Sequence, residues 1–214
     1  MELGIMTLLE KLKSYKIILA SASLRRQELL KELGAEFEVI VKPVDESFPD
    51  NLKGKEIAEY VAISKAKMFE GAMKANELVI AADTIVALDD KILGKPSDEE
   101  DAIRMLKDIS GKTHEVVTGV AILFNGKLIT FTDTTQVTFR EMTEEELIYY
   151  VEQYSPYDKA GAYGIQEWIG LAACTRIEGS FYNVMGLPVE KLYSVLNNIF
   201  VCNSNNVMFC SAAT

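Results

Sequence analysis

The sequence is poor in histidine, in cysteine and in unbroken apolar runs, and each shortage removes a class of function. One residue of 214 is histidine, His114, and three are cysteines: Cys174, Cys202 and Cys210. A serine–histidine triad would have to use His114, and no GxSxG elbow accompanies it. His114 reads instead as a residue at the start of a strand, near the surface. The cysteines are odd in number and form no CxxC pair, so neither a disulfide framework nor a zinc site is expected, and a reducing cytoplasm fits. No run of about 18 apolar residues exists, so no membrane span is expected. The opening MELGIMTLLEKLKSYK is interrupted by Glu2, Glu10, Lys11 and Lys13, which argues against a signal peptide. Basic residues are outnumbered, 22 against 32 acidic, for a net charge of -10. Non-specific nucleic-acid binders draw affinity from counterion release by basic side chains, so that class is disfavoured. A phosphate compound would need a local basic pocket working against the overall field.

What is present is the balance of a soluble globular chain: 49% hydrophobic and 25% charged residues. That excludes a disordered acidic chain, and the length suits one domain or two small lobes sharing a core. No repeat or low-complexity linker divides it. Lys16–Ala20 reads as a buried strand, followed by a helix with Leu29, Leu30 and Leu33 that Gly34 ends. Glu36–Val41 is a second strand. Gly54–Lys74 is a helix with Ile57, Val61, Ala62, Ala66, Phe69 and Met73 on one face. Leu78–Ala82 is a strand running into Asp83-Thr84, and Leu93–Pro96 is a turn. Ser97 caps the next helix, with Glu100 placed for a capping box. Asn125-Gly126 between two β-rich runs, Val116–Phe124 and Lys127–Arg140, is the strongest hairpin signal. Thr143 and Glu146 open another capped helix. Ser155–Gln166 is a loop, Arg176–Met185 is irregular or strand-like, and Pro188 starts the last helix. The pattern is mixed α/β. Residues 1–200 form one domain, and 201–214 read as a poorly ordered, dispensable tail.

Four groups of residues can carry chemistry. Ser21, Ser23, Arg25 and Arg26 sit between a strand and a helix start, where unpaired amides and the helix dipole favour an anion. The alternative is a serine cap followed by solvated arginines. It is not a Walker loop, because the glycines and the GK[ST] ending are absent. Asp83, followed by Thr84 at the end of an apolar strand, can hold a metal or activate water, or simply cap a turn. Lys65 and Lys95 could neutralise a triphosphate with the arginines, and Asp45 and Glu46 could add a carboxylate for a divalent ion. In the segment Asp158–Gln166, glycines allow close backbone approach, Tyr163 can stack, and Gln166 presents a donor and an acceptor to a base edge.

In this order, LASASLRRQELL, AADTIV, GKP, Ile109-Ser-Gly111 with Thr113-His114, DKAGAYGIQ and NVMGLP resemble the Maf family of nucleoside triphosphate pyrophosphatases, associated with septum formation. The resemblance runs from about Lys16 to Phe200. It implies a strongly twisted mixed sheet flanked by helices, with two lobes around a central nucleotide-binding cleft. It implies hydrolysis of a nucleoside triphosphate to monophosphate and pyrophosphate, aided by Mg²⁺ or Mn²⁺, in a cytoplasmic homodimer with neither nucleic acid nor membrane as partner. Asp83 matches the proton acceptor. Arg25, Thr84 and Gln166 match specificity positions, in the pattern of the branch acting on dTTP and UTP. Ser21, Ser23, Arg26, Lys65 and Lys95 match the phosphate side, and Asp83 with Asp45 or Glu46 the metal site. A related branch acting on 7-methyl-GTP carries Trp at the position of Arg25. A nucleotide-binding regulator of septation without turnover is the rival from another class. The chain departs from the pattern at Leu24, usually proline, at Asp45, a shorter acid, and at Glu167-Trp168-Ile169, where relatives often have a glycine-rich stretch.

Overall fold

The computed structural model describes residues 7–89 and 91–204, with side chains to residue 200. Its elements in chain order are α1 (Leu8–Leu12), β1 (Lys16–Leu19), α2 (Leu24–Glu32), β2 (Phe37–Val39), α3 (Lys55–Lys67), β3 (Glu77–Leu88), β4 (Lys91–Leu93), α4 (Glu99–Ile109), β5 (Thr113–Phe124), β6 (Lys127–Phe139), α5 (Glu144–Tyr154), α6 (Trp168–Ala173), β7 (Cys174–Glu178), α7 (Phe181–Met185) and α8 (Val189–Ser204).

The hairpin forms where expected. Asn125 and Gly126 both take positive φ, 50° and 70°, the left-handed pair whose twist matches the flanking strands. It sets the β5–β6 register from Phe124↔Lys127 to Thr113↔Thr138. β3 pairs antiparallel with β5, β1 parallel with β3, and β2 parallel with β1. The sheet order is β2-β1-β3-β5-β6-β7, with β4 on the distal end of β3. It is a mixed sheet flanked by helices.

Period-two patterning decides where the helices go. Along the first half of β3, Leu78, Ile80 and Ala82 share a face with Val120, Ile122 and Phe124 of β5. That face packs on Leu29 and Leu30 of α2 and on Leu192 and Leu196 of α8. The alternate residues Val79, Ala81, Ala121 and Leu123 face Ala62 and Ala66 of α3. Both faces are covered, so the strand reads as a continuous apolar run. The distal halves enter a second core: Val86, Leu88 and Val116 pack with Phe139, with Met105, Leu106 and Ile109 of α4, and with Leu147, Tyr150 and Val151 of α5. Two long strands thus serve as spines of two lobes. Asp83 and Thr84 interrupt the apolar run of β3 where one core gives way to the other.

Gly119 lies opposite Asp83 in the β3–β5 ladder. A Cβ there would meet the backbone carbonyl carbon and oxygen of Ala58 in α3 at 2.4 Å. Backbone cannot swing aside as a side chain can, so the helix that carries Lys65 reaches its place only over glycine. Gly119→Ala should lower the melting temperature by roughly 3–10 °C, the range for about 1–3 kcal/mol of overpacking in a domain of this size. A thermal melt matching wild type would show that α3 can shift freely.

Several expectations are corrected. β3 does not end at Ala82 but continues to Leu88, because Ile85–Ala87 keep pairing with β5 after the polar interruption and Leu88 pairs with β4. The cap of α4 is Asp98, which accepts from the Asp101 amide at 2.9 Å, and not Ser97, so Glu100 closes no capping box. α3 stops at Lys67, short of Met73. The stretch 176–185 divides into β7 and α7, and α1 and α6 are additional to the expected elements. Thr143 and Glu146 do form a capping box. α8 runs to Ser204, and the rest of the expected tail, residues 205–214, lies outside the described residues.

Candidate active site

A cavity of about 1000 Å³ opens where the two lobes meet. Its lining includes Ser21, Ser23, Arg25, Arg26, Glu46, Lys65, Asp83, Thr84, Lys95 and Gln166. These come from β1–α2, the loop after β2, α3, β3, the turn after β4 and the loop before α6, so segments distant in sequence converge. Asp45 does not line the cavity. It is exposed, and its Oδ1 accepts from the Ser47 amide at 2.9 Å, closing a turn in its own loop. Of the two acids left open by the sequence, Glu46 is the one turned to the cavity.

Lys65 is the centre of charge. Its Nζ lies 2.7 Å from Asp83 Oδ1 and 3.0 Å from Glu46 Oε1. Lys65 and Asp83 are largely sheltered, at 14% and 16% side-chain exposure, so water screens this pair less than a surface pair. Burial works to raise the Glu46 pKa, but Lys65, Lys95 and Arg26 outweigh it and hold the carboxyl below its ordinary value. Lys95 itself is exposed at the cavity wall.

Arg26 is anchored on three sides. Its Nε donates to the Gly186 carbonyl at 2.8 Å, Nη1 to Ser21 Oγ at 3.2 Å and Nη2 to Thr84 Oγ1 at 2.9 Å. Burial draws its pKa down, with Asp83 pulling it back up. Thr84 Oγ1 lies 2.9 Å from Thr118 Oγ1, which in turn donates to the Asn183 carbonyl at 3.1 Å. The direction of the chain is therefore Arg26 to Thr84 to Thr118 to α7. Asn183, fully buried, donates to the Val116 carbonyl and to Thr135 Oγ1, both at 3.0 Å. The Thr84 hydroxyl thus orients Arg26. Thr118 and Asn183 escaped the sequence reading because strand register places the first behind Thr84 and the docking of α7 places the second. Ser23 is the N-cap of α2 but makes no side-chain capping bond, and the first turn holds no acid, which suits an anion better than a self-satisfied cap.

His114 is not near the surface. It is the second residue of β5 and only 2% exposed, because the alternation turns it into the distal core while Thr113 and Glu115 face outward. Its Nε2 lies 2.7 Å from the Tyr163 hydroxyl, and its ring packs edge-on to Phe139 and Tyr163. Burial pulls its pKa down to about 4. The unfolded residue, at about 6.5, takes up a proton first as pH falls, so stability is full above that value and is lost toward pH 4. The loss should approach about 3 kcal/mol. It is measured as urea midpoints between pH 7.5 and 4.5, where His114→Gln should show a shallower decline than wild type. Parallel declines would remove His114 as the cause.

The sequence profile of the family described as Maf-like protein matches residues 16–199. A protein of Flavobacterium johnsoniae named dTTP/UTP pyrophosphatase is 50% identical over 190 residues, 89% of this chain and 98% of its own. One of the same name from Phocaeicola vulgatus is 51% identical over 193 residues, 90% of this chain and all of its own. Among solved structures, the Staphylococcus aureus Ham1 protein shares the fold at a TM-score of 0.51 and 17% identity, covering 86% of this chain and 99% of that one. The profile spans every cavity residue named above, from Ser21 through Gln166 to Gly186, and this chain belongs to the Maf-like protein family.

Proposed function

We propose that the chain hydrolyses dTTP and UTP to the monophosphate and pyrophosphate by attack of water at the α-phosphorus. The carrying observation is the Asp83–Lys65–Glu46 cluster beside Arg26 and Lys95 in one cavity. It joins an acceptor for a proton to a set of cations for a departing pyrophosphate. In the reaction the water oxygen bonds to phosphorus and the bond to the bridging oxygen breaks. The water proton passes to Asp83, whose Oδ2 is the oxygen not held by Lys65. Arg26, Lys65 and Lys95 stabilise charge on the pyrophosphate; positioning and electrostatics of this kind are most of what phosphoryl transfer requires.

A divalent cation fits the acid pair, since Asp83 and Glu46 already converge on one cationic group. No third Asp, Glu, His or Cys joins them among the described residues, so Mg²⁺ or Mn²⁺ would take further ligands from phosphate oxygens and water. When bound it would polarise the phosphate oxygens as a Lewis acid. The same reading takes residues 1–200 as one catalytic domain working as a cytoplasmic homodimer, which sedimentation of the purified protein checks for assembly. No helix among the described residues is long and apolar enough to cross a membrane. Neither the septation regulator nor 7-methyl-GTP is favoured: the relatives are named as enzymes, and Arg25 stands where the other branch has Trp.

The test is release of monophosphate and pyrophosphate from each common nucleotide with Mg²⁺ or Mn²⁺. Products should come mainly from dTTP and UTP. Gln166 matches a uracil or thymine edge, a carbonyl beside an N–H, whereas cytosine replaces that carbonyl with an amino group. Gln166→Ala should therefore shrink the preference for UTP over CTP by roughly tenfold or more. An unchanged ratio would take base choice away from Gln166, and no products from any nucleotide would end the reading.

A further inference from the structure

The wall of the cavity near Gln166 contains charged groups that the proposed reaction does not use. Lys159 is only 7% exposed, so its charge needs partners. Its Nζ lies 2.9 Å from Asp158 Oδ1 and 3.1 Å from Glu167 Oε1. Asp158 Oδ2 accepts from Arg25 Nη1 at 2.9 Å. The other Glu167 oxygen, Oε2, accepts from the hydroxyl of fully buried Tyr150. That hydroxyl in turn accepts from the Gly164 amide at 3.0 Å. Charge alternates along the line: Arg25 positive, Asp158 negative, Lys159 positive, Glu167 negative. Beyond Glu167 the line passes through a neutral phenol, whose pKa is pushed up by burial and by Glu167.

Both ends of this line are telling. One is Arg25, on the first turn of α2. The other is Gly164, on which the Gln166 amide rests: a Cβ at Gly164 would lie 3.0 Å from Gln166 Nε2 and 2.8 Å from Glu167 Cδ. Gly164 thus leaves room for the amide and the carboxylate side by side, and Tyr150 pins its backbone.

We propose that Glu167 and Tyr150, acting through Lys159 and Asp158, are positioning residues that lock Arg25 and Gln166 into one base-reading wall, and that they set the preference for uracil and thymine over cytosine. This rests on the proposed function for the identity of the bases. Neither residue reaches the phosphates through this network, so the effect falls on base discrimination and leaves the binding of phosphate alone.

The test is calorimetric binding of α,β-methylene-UTP, α,β-methylene-CTP and inorganic triphosphate to wild type, Glu167→Gln, Tyr150→Phe and Asp158→Asn. The methylene analogues cannot be cleaved at the α–β bridge, so binding is read apart from turnover. Glu167→Gln and Tyr150→Phe should each reduce the UTP-over-CTP analogue ratio by roughly fivefold or more, the worth of a hydrogen bond, with triphosphate affinity unchanged. Asp158→Asn, on an exposed side chain, keeps the proposal open to failure if a core variant does not fold. It should move the ratio in the same direction. An unchanged ratio in folded variants, a wild type without preference, or a parallel loss of triphosphate binding would overturn the strut. Pyrophosphate release by wild type is a separate readout: preference for the UTP analogue without any release would overturn the proposed function and not the strut.

Discussion

Asp83→Asn is expected to lower turnover of UTP by roughly a hundredfold or more, scaled to the about 2.7–4 kcal/mol typical of one lost transition-state contact. The substitution keeps shape and removes the charge and the basic oxygen. Lys65 keeps Glu46 as a partner at 3.0 Å, so the cluster does not collapse into an unpaired buried ammonium. The fold should therefore survive, which a melting temperature near wild type would verify. The loss should appear in kcat more than in KM, because proton acceptance is needed only as water attacks. Steady-state pyrophosphate release with UTP and Mg²⁺ decides it. Near-normal kcat in a folded variant would remove Asp83 from the chemistry.

The second large effect is at Arg26. Arg26→Met should cost roughly 10²–10³ in turnover, because it removes a positioned cation from the phosphate side. Arg26→Lys separates charge from geometry. A planar guanidinium reaches the Gly186 carbonyl, Ser21 Oγ and Thr84 Oγ1 at once and still has two N–H groups left of five. An ammonium is a point charge on a flexible stem and cannot span the same three partners. Lysine is expected to recover less than a tenth of the lost turnover, roughly one decade. If lysine restored most of it, charge alone would be the requirement and the anchoring of Arg26 would be incidental. Thr84→Val, which breaks the tie from Arg26 to Thr118, gives a milder loss in the same direction.

Much of the molecule follows from local chemistry. Asn125-Gly126 dictates the hairpin because left-handed turn geometry is cheap there, and Thr143 with Glu146 starts α5 by satisfying its own first amides. The six motifs bring most of the cavity residues together in name, since residue type and order survive in a string. Three kinds of information do not. Asp83-Thr84 looks like a strand end because polarity interrupts an apolar run, whereas backbone pairing with β5 continues regardless of side-chain character. His114 looks peripheral because it is a lone polar residue at a strand start, whereas the alternation of β5 turns it inward onto Phe139. The acids Asp45 and Glu46 are adjacent and alike in sequence, and only the path of the loop after β2 turns one to Lys65 and leaves the other closing a turn. Sequence order therefore settles which chemical groups are available and which segments can form alone. Register and long-range packing settle which groups meet, because the contacts of Lys65 with Asp83, Arg26 with Gly186 and Arg25 with Asp158 each join residues far apart along the chain.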